Sequence, residues 1–396
     1  MRHAQRQAQW RALRLALGTA SALGLARFAY GLLLPAMRDD LRWTLAEAGT
    51  MSAANGLGYL LGALATPVVR RRLGTAATFR WGMVLTAVAL AATPLSGDYA
   101  ALLSLRAAAG AAGALVFVTG GVIAARLATD VSSGMPIAVY FAGTGLGIVF
   151  SGATIPALGD RWQLAWGGLA VAAGLAALAS WSAARTGADH DAPAAGTGRP
   201  PMPVRSLWRP ALAYLLFAAG YITYITFLSA YLADRDAPVA QVTFTWTVLG
   251  LAVMAAPFLW SRPITHWPGG RALAALLAVL AVGAALALTS PAPPIILASA
   301  IVYGATFMGV PAAVTALIKT ATPPAGWTSA LAAFTTLFAA GQTAGPWLAG
   351  LLADRTSTTA TLAWTAILCA AAALIATTAS RSPSRAPAEA PDHTPR

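Results

Sequence analysis

The 396-residue chain is 58% hydrophobic and only 10% charged, with a mean hydropathy of +0.65. A soluble domain cannot hide that much apolar surface, whereas a bilayer can, so composition excludes a soluble enzyme or binding module. A net charge of +13 and a pI near 10.9 point first to nucleic acid, but the basic residues sit in short loops between apolar runs, as membrane topology requires.

In chain order, the basic tail Arg2, Arg6, Arg11 and Arg14 leads straight into an apolar run reaching Met37, too long for the core of a cleavable signal. About 20 predominantly apolar residues span the hydrocarbon core. On that scale twelve helices are expected, at 14–37, 47–69, 76–96, 99–127, 135–158, 163–183, 208–232, 240–260, 271–289, 294–318, 328–352 and 359–380. The runs are continuous rather than alternating, which favours helices over a barrel. The expected fold is an all-α membrane protein of two pseudo-symmetric six-helix bundles, 1–184 and 207–381. A cytoplasmic linker at 185–206, rich in Pro, Gly and Ala, joins them, and a disordered tail follows at 382–396.

Loop charges give the orientation. With both termini cytoplasmic, the inner side holds Arg70, Arg71, Arg72, Arg80, Arg126 and most other basic residues. The outer side holds Arg38, Arg42, Arg161, Arg235 and Arg355. That asymmetry is the positive-inside pattern of an inner-membrane protein.

The halves repeat each other. Gly143, Gly147 and Gly152 in the fifth segment recur as Gly341, Gly345 and Gly350 in the eleventh, each pair 198 residues apart. Gly24 and Gly220 differ by 196, as do Asp40 and Asp236. Duplicated halves around a midplane site are a recurring transporter plan.

Charged residues within the apolar segments are few: Arg27 and Arg106, with no Asp or Glu beside them, since Glu47 and Asp98 fall at helix starts. An Arg at the bilayer centre costs roughly 2.5–3.5 kcal/mol on insertion scales and marks a functional site by default. An anionic substrate would answer this one-sided positive field by charge-assisted hydrogen bonds. Carbonyls, Asn55, Tyr or Thr groups and water are the alternative partners. Tyr30, Asn55, Tyr59, Tyr221, Tyr224 and Gln342 are the further substrate-binding candidates. Tyr214, Phe217, Tyr221, Tyr224 and Tyr231 form a stripe on the seventh segment, and its end members Tyr214 and Tyr231 suit an interfacial belt.

The charged clusters Asp39-Asp40-x-Arg42, Asp160-Arg161, Asp234-Arg235-Asp236 and Asp354-Arg355 end matching helices. Gating is assigned to Asp40, Arg42, Asp234 and Asp236 at the outer mouth and to Arg70, Arg71 and Arg72 at the inner one, with some pairing across the halves when the mouth closes. A P-loop is excluded because the single lysine, Lys319, follows Ile318. Cys369 reads as a packing residue. The four histidines lie in predicted loops or tails, so neither a metal, a cofactor nor a histidine relay is expected.

Arg106-Ala-Ala-Ala-Gly110-Ala-Ala-Gly113 resembles the fourth-helix RxxxGxxG signature of the major facilitator superfamily. The resemblance covers the whole chain and implies a transporter fold, with Arg106 in a coupling or structural role. The second-to-third loop lacks the family's aspartate, offering Arg70-Arg71-Arg72-Leu73-Gly74 after Thr66 instead, which puts the usual gating relay in doubt. The fifth-helix Gly-Pro of drug antiporters is absent after Gly147 and appears as Gly345-Pro346, which gives drug antiport little support. More narrowly, Arg27 to Met37 is similar to the first helix of YbfB/YjiJ-like facilitators, Gly220 to Leu228 to their seventh and Gly341 to Pro346 to their eleventh. This implies a monomeric secondary transporter of a small molecule, not an enzyme, with protons or a counter-anion as coupling partners and no nucleic acid. The favoured cargo is an organic anion; efflux of an apolar or cationic compound, or a transport-dead receptor or scaffold, remains open.

Overall fold

A computed structural model describes residues 2–185 and 207–379; the predicted linker and tail lie outside the described residues. Fourteen α-helices are described: α1 (Arg2–Thr19), α2 (Tyr30–Leu41), α3 (Leu45–Leu73), α4 (Thr75–Ala92), α5 (Tyr99–Asp130), α6 (Met135–Thr154), α7 (Trp162–Ser180), α8 (Trp208–Ala233), α9 (Val239–His266), α10 (Arg271–Thr289), α11 (Pro293–Phe307), α12 (Gly309–Ala321), α13 (Trp327–Arg355) and α14 (Thr359–Ala379). A π-helical segment, Ala20–Phe28, joins α1 to α2, so these three form one span. Likewise α11 and α12 form one span broken at Met308. That leaves twelve transmembrane units, of which eleven are long and apolar enough to cross a membrane by composition; α13, with its Thr, Gly and Gln residues, is less apolar.

The predicted spans match these elements within a few residues, except at the N-terminus. There α1 begins at Arg2, and its Arg11 and Arg14 donate to the Ala183, Arg185 and Ala179 carbonyls at and just beyond the end of α7. The acidic residues at helix starts act as caps. Thr44 and Glu47 form a capping box on α3, and Asp98 accepts from the Ala101 N–H at 2.8 Å on α5. One end of the bundle carries the α2–α3 and α8–α9 turns and is called distal; the other carries the described N-terminal end.

The repeated glycines set the spacing between helices. Gly143 and Gly147 of α6 press on Ala16, Ala20 and Gly24, the first span of their own half; Gly341 and Gly345 of α13 press likewise on Leu215 and Ala219 of α8. The third glycine of each set crosses to the other half: Gly152 meets Trp246 and Thr247 of α9, and Gly350 meets Leu45 and Ala46 of α3. Any Cβ there would collide with backbone, so the sequence repeat is a repeat of close helix approaches. A Val at Gly147 should cost at least about 1–3 kcal/mol of N-half packing, seen as a lower Tm. Gly350→Val should spare the fold but loosen the distal seam, raising maleimide labelling of a Thr226→Cys variant. Native Cys369 is fully buried and contributes little background.

Candidate substrate site at the seam of the two halves

Arg27 is the last basic residue of the π segment and is 6% exposed. Its Nη2 donates to Tyr221 Oη of α8 at 2.9 Å and to Gln342 Oε1 of α13 at 2.5 Å, so it reaches across the seam from the N half to two helices of the C half. Tyr221 Oη also donates to Gln342 Oε1 at 3.3 Å, and Gln342 Nε2 donates back to the Gly56 carbonyl of α3. The guanidinium lies 5.5 Å from the Tyr59 ring centre and 5.8 Å from that of Phe28, close enough for cation–π attraction. Arg27 Nε is buried with no partner among the described residues. Every described Asp and Glu sits in a terminal turn of a helix or in a connection, so the charge is met by neutral groups alone.

The π segment explains how Arg27 is held. Its i+5 pairing, with Ala29 N–H donating to Gly24 O at 3.0 Å, displaces the backbone from α-helical register. Such segments cluster at functional sites. Arg106 of α5 donates to the Ala26 carbonyl at 2.5 Å and reaches the Arg27 carbonyl at 3.5 Å, while its guanidinium lies over the Tyr30 and Trp166 rings. Gly110 and Gly113 let α5 approach Asn55 of α3 and Ala22 of the π segment closely enough for this reach.

The second broken helix meets the first. Pro311 lacks the N–H that would bond the Phe307 carbonyl, and α11 ends at Phe307. The Phe307 ring packs edge-on to Phe28 at 5.8 Å and stacks on Tyr221 at 6.0 Å.

Of the sequence candidates, Arg27, Tyr59, Tyr221 and Gln342 converge. Tyr30, Asn55 and Tyr224 are placed elsewhere: Tyr30 Oη donates to Ala48 O, Asn55 Nδ2 to Arg106 O, and Tyr224 pairs with Ser299 and stacks on Tyr303 at 3.9 Å inside the C half. The belt reading of Tyr214 and Tyr231 is corrected. Both are buried, Tyr214 stacked against Phe217 and Phe338, and Tyr231 donating to Ala287 O.

At the distal mouth the cross-half ion pair is Arg38 with Asp234, 3.9 Å apart and partly exposed. Asp40 is held within its own half by Trp162 Nε1 at 2.7 Å, Arg42 is the exposed left-handed cap of α2, and Asp236 occupies an exposed left-handed turn. Asp354 is a stronger link. Its carboxylate accepts from the Leu45 and Ala46 N–H groups at 2.7 and 3.0 Å, capping the positive end of α3 from the opposite half. Ser52 and Thr226 add a hydroxyl pair at 2.9 Å across the seam. Arg70, Arg71 and Arg72 close the last turn of α3 at the other end.

Residues 19–381 match the family described as "Uncharacterised MFS-type transporter YbfB". The chain belongs to this major facilitator family. Its members are transporters rather than enzymes, so a small-molecule cargo and a membrane setting follow. The fold is similar to that of the nucleoside transporter NupG, with a TM-score of 0.66 at 13% identity, over 93% of this chain and 98% of that one. A bacterial homolog of the human lysosomal transporter Spinster, solved inward-facing and unoccupied, gives a TM-score of 0.65 at 14% identity, over 94% and 95% of the two chains. No curated protein matches the sequence.

Arg106→Ala should leave the Ala26 and Arg27 carbonyls without the guanidinium they accept from, at about 1–3 kcal/mol for each. Thermal unfolding should therefore show a large fall in Tm. Asn55→Ala, which removes one bond to the Arg106 carbonyl, should show a smaller one.

Proposed function

We propose that this transporter carries a small organic anion by alternating access, with Arg27 as the anion-binding group. The observation that carries the reading is the buried Arg27 guanidinium, faced only by neutral groups and retaining an unpartnered Nε. A carboxylate accepting from Nε and Nη2 would satisfy that donor and replace Gln342 Oε1, whose dipole answers a full charge incompletely. Tyr221, Tyr59 and Gln342 complete the site, and Arg106 braces it.

Basic asymmetry supports placing the distal end outside the inner membrane, with both termini cytoplasmic. On that orientation the Asp354 cap, the Ser52–Thr226 pair and the Arg38–Asp234 pair bridge the two halves at the outer mouth. Binding of the anion releases the Arg27–Gln342 bond, loosening the seam so that the halves can rock. Without a carboxylate at mid-depth among the described residues, anion exchange or uniport fits the site better than proton transfer through an acid.

Thermal-shift screening of the purified protein against small acids, amines and neutral solutes should show stabilisation by acids. Flux of the best acid into proteoliposomes should fall at least about tenfold in Arg27→Ala, the loss of a charge-assisted hydrogen bond. Normal flux in both Arg27→Ala and Arg27→Lys would refute the anion reading.

A further inference from the structure

The site has a second chemical character besides its charge. On the C half, Phe217 stacks on Tyr221 at 4.9 Å and Phe338 lies nearly parallel to Tyr221, 24° apart at 5.5 Å, and to Tyr214 at 5.1 Å. In the N half, Tyr59 contacts Phe117 at 6.1 Å and Phe117 contacts Phe141 at 5.3 Å. Tyr59 and Tyr221 both approach Arg27 directly, so the two aromatic walls converge on the guanidinium. Tyr59, Phe117, Phe141 and Phe338 are half-buried rather than sealed.

The charge at the head of these walls is single. Arg106 is committed to two backbone carbonyls and to the Tyr30 and Trp166 faces, which leaves Arg27 alone to take an anion. None of the ring residues brings a carboxylate or a second cation. A dianion would keep one charge uncompensated in a low-dielectric seam, a penalty that disfavours it. A saturated chain placed against these rings would forgo the offset stacking that a flat ring gains from them.

We infer that the cargo is an aromatic monocarboxylate: one carboxylate side-on to Arg27 Nε and Nη2, with a flat ring between the Tyr221–Phe338 and Tyr59–Phe117 walls. This rests on the anion reading above and adds to it the ring and the count of one charge. Tyr221 then donates its hydroxyl to the carboxylate once Gln342 is displaced, and the half-buried Phe338 stacked beside it presents the ring surface.

The test is a set of thermal-shift titrations of the purified full chain with benzoate and 2-naphthoate against cyclohexanecarboxylate, hexanoate, phthalate and benzamide. The aromatic monoacids should bind about 3- to 10-fold more tightly than the saturated acids, the span that aromatic pairing supplies. Phthalate and benzamide should be weaker still. Arg27→Gln should abolish the acid response. Phe338→Leu and Phe117→Leu, whose unliganded Tm reports that the fold is kept, should erase the preference for a ring while leaving Arg27-dependent binding of hexanoate. Arg27-dependent binding of all monoacids with no ring preference would overturn this inference and leave the anion reading standing. Binding of amines or neutral solutes but of no acid, or of no acid in the series at all, would overturn both.

Discussion

One guanidinium, held at mid-depth and shared between two halves of the chain, is the constraint on which the rest of the structure depends. Arg27 cannot sit in hydrocarbon without acceptors, and the N half alone supplies it with aromatic faces rather than oxygen atoms. Its oxygen partners come from α8 and α13 across the seam. The π segment, the Arg106 grip on its carbonyls and the glycine approaches of α6 and α13 are the means by which this bond is reached. In the proposed transport cycle this bond between the halves is exchanged for one to the solute, which couples binding to movement.

Duplication built the frame, and departures from it built the site. Asp40 accepts from Trp162, the first residue of α7, and Asp234, two residues short of the position the repeat gives Asp40, accepts from Thr358, 196 residues after Trp162 and just ahead of α14. The mouths of the halves are thus tied down alike. At the centre the equivalence fails. The repeat aligns Arg27 with Thr223, which folds back on the Ala219 carbonyl, and Gln342 with Thr144, whose hydroxyl is buried without a partner among the described residues. Charge sits on one side and its amide acceptor on the other, so closing the seam brings them together once rather than twice.

Much of this was legible in the residues. Apolar run length fixes the spans, and the glycine triplets mark helices that approach others closely, though not which ones, because close backbone approach tolerates no Cβ. An arginine in an apolar helix without an acid announces a polar site, and Tyr221, Tyr59 and Gln342 stand among the substrate-binding candidates, but nothing in the sequence pairs them with Arg27. Helix face was harder to read. Tyr224 lies three residues from Tyr221, and a wide buried stripe on α8 serves both the seam and the C-half core, so that spacing does not separate them. The π segment shifts register at Arg27, which ordinary 3.6-residue periodicity cannot anticipate. Asp354 reads as one more solvated loop end until α3's N-terminus is brought to it. Phe307 and Phe338 look like core aromatics, and 294–318 reads as one unbroken span, although Pro311 marks its interruption beside the site.

The account's central claim is that Arg27 and Gln342 hold the empty halves together and that an anion takes Gln342's place. A double-mutant cycle of Arg27→Gln and Gln342→Ala, read by thermal unfolding without ligand and again with saturating benzoate, tests it most directly. The account predicts a coupling of about 1–3 kcal/mol in the empty protein that vanishes once benzoate saturates the two forms that keep Arg27. Additivity within about 0.5 kcal/mol in the empty protein, or a coupling that ligand leaves unchanged, would contradict it.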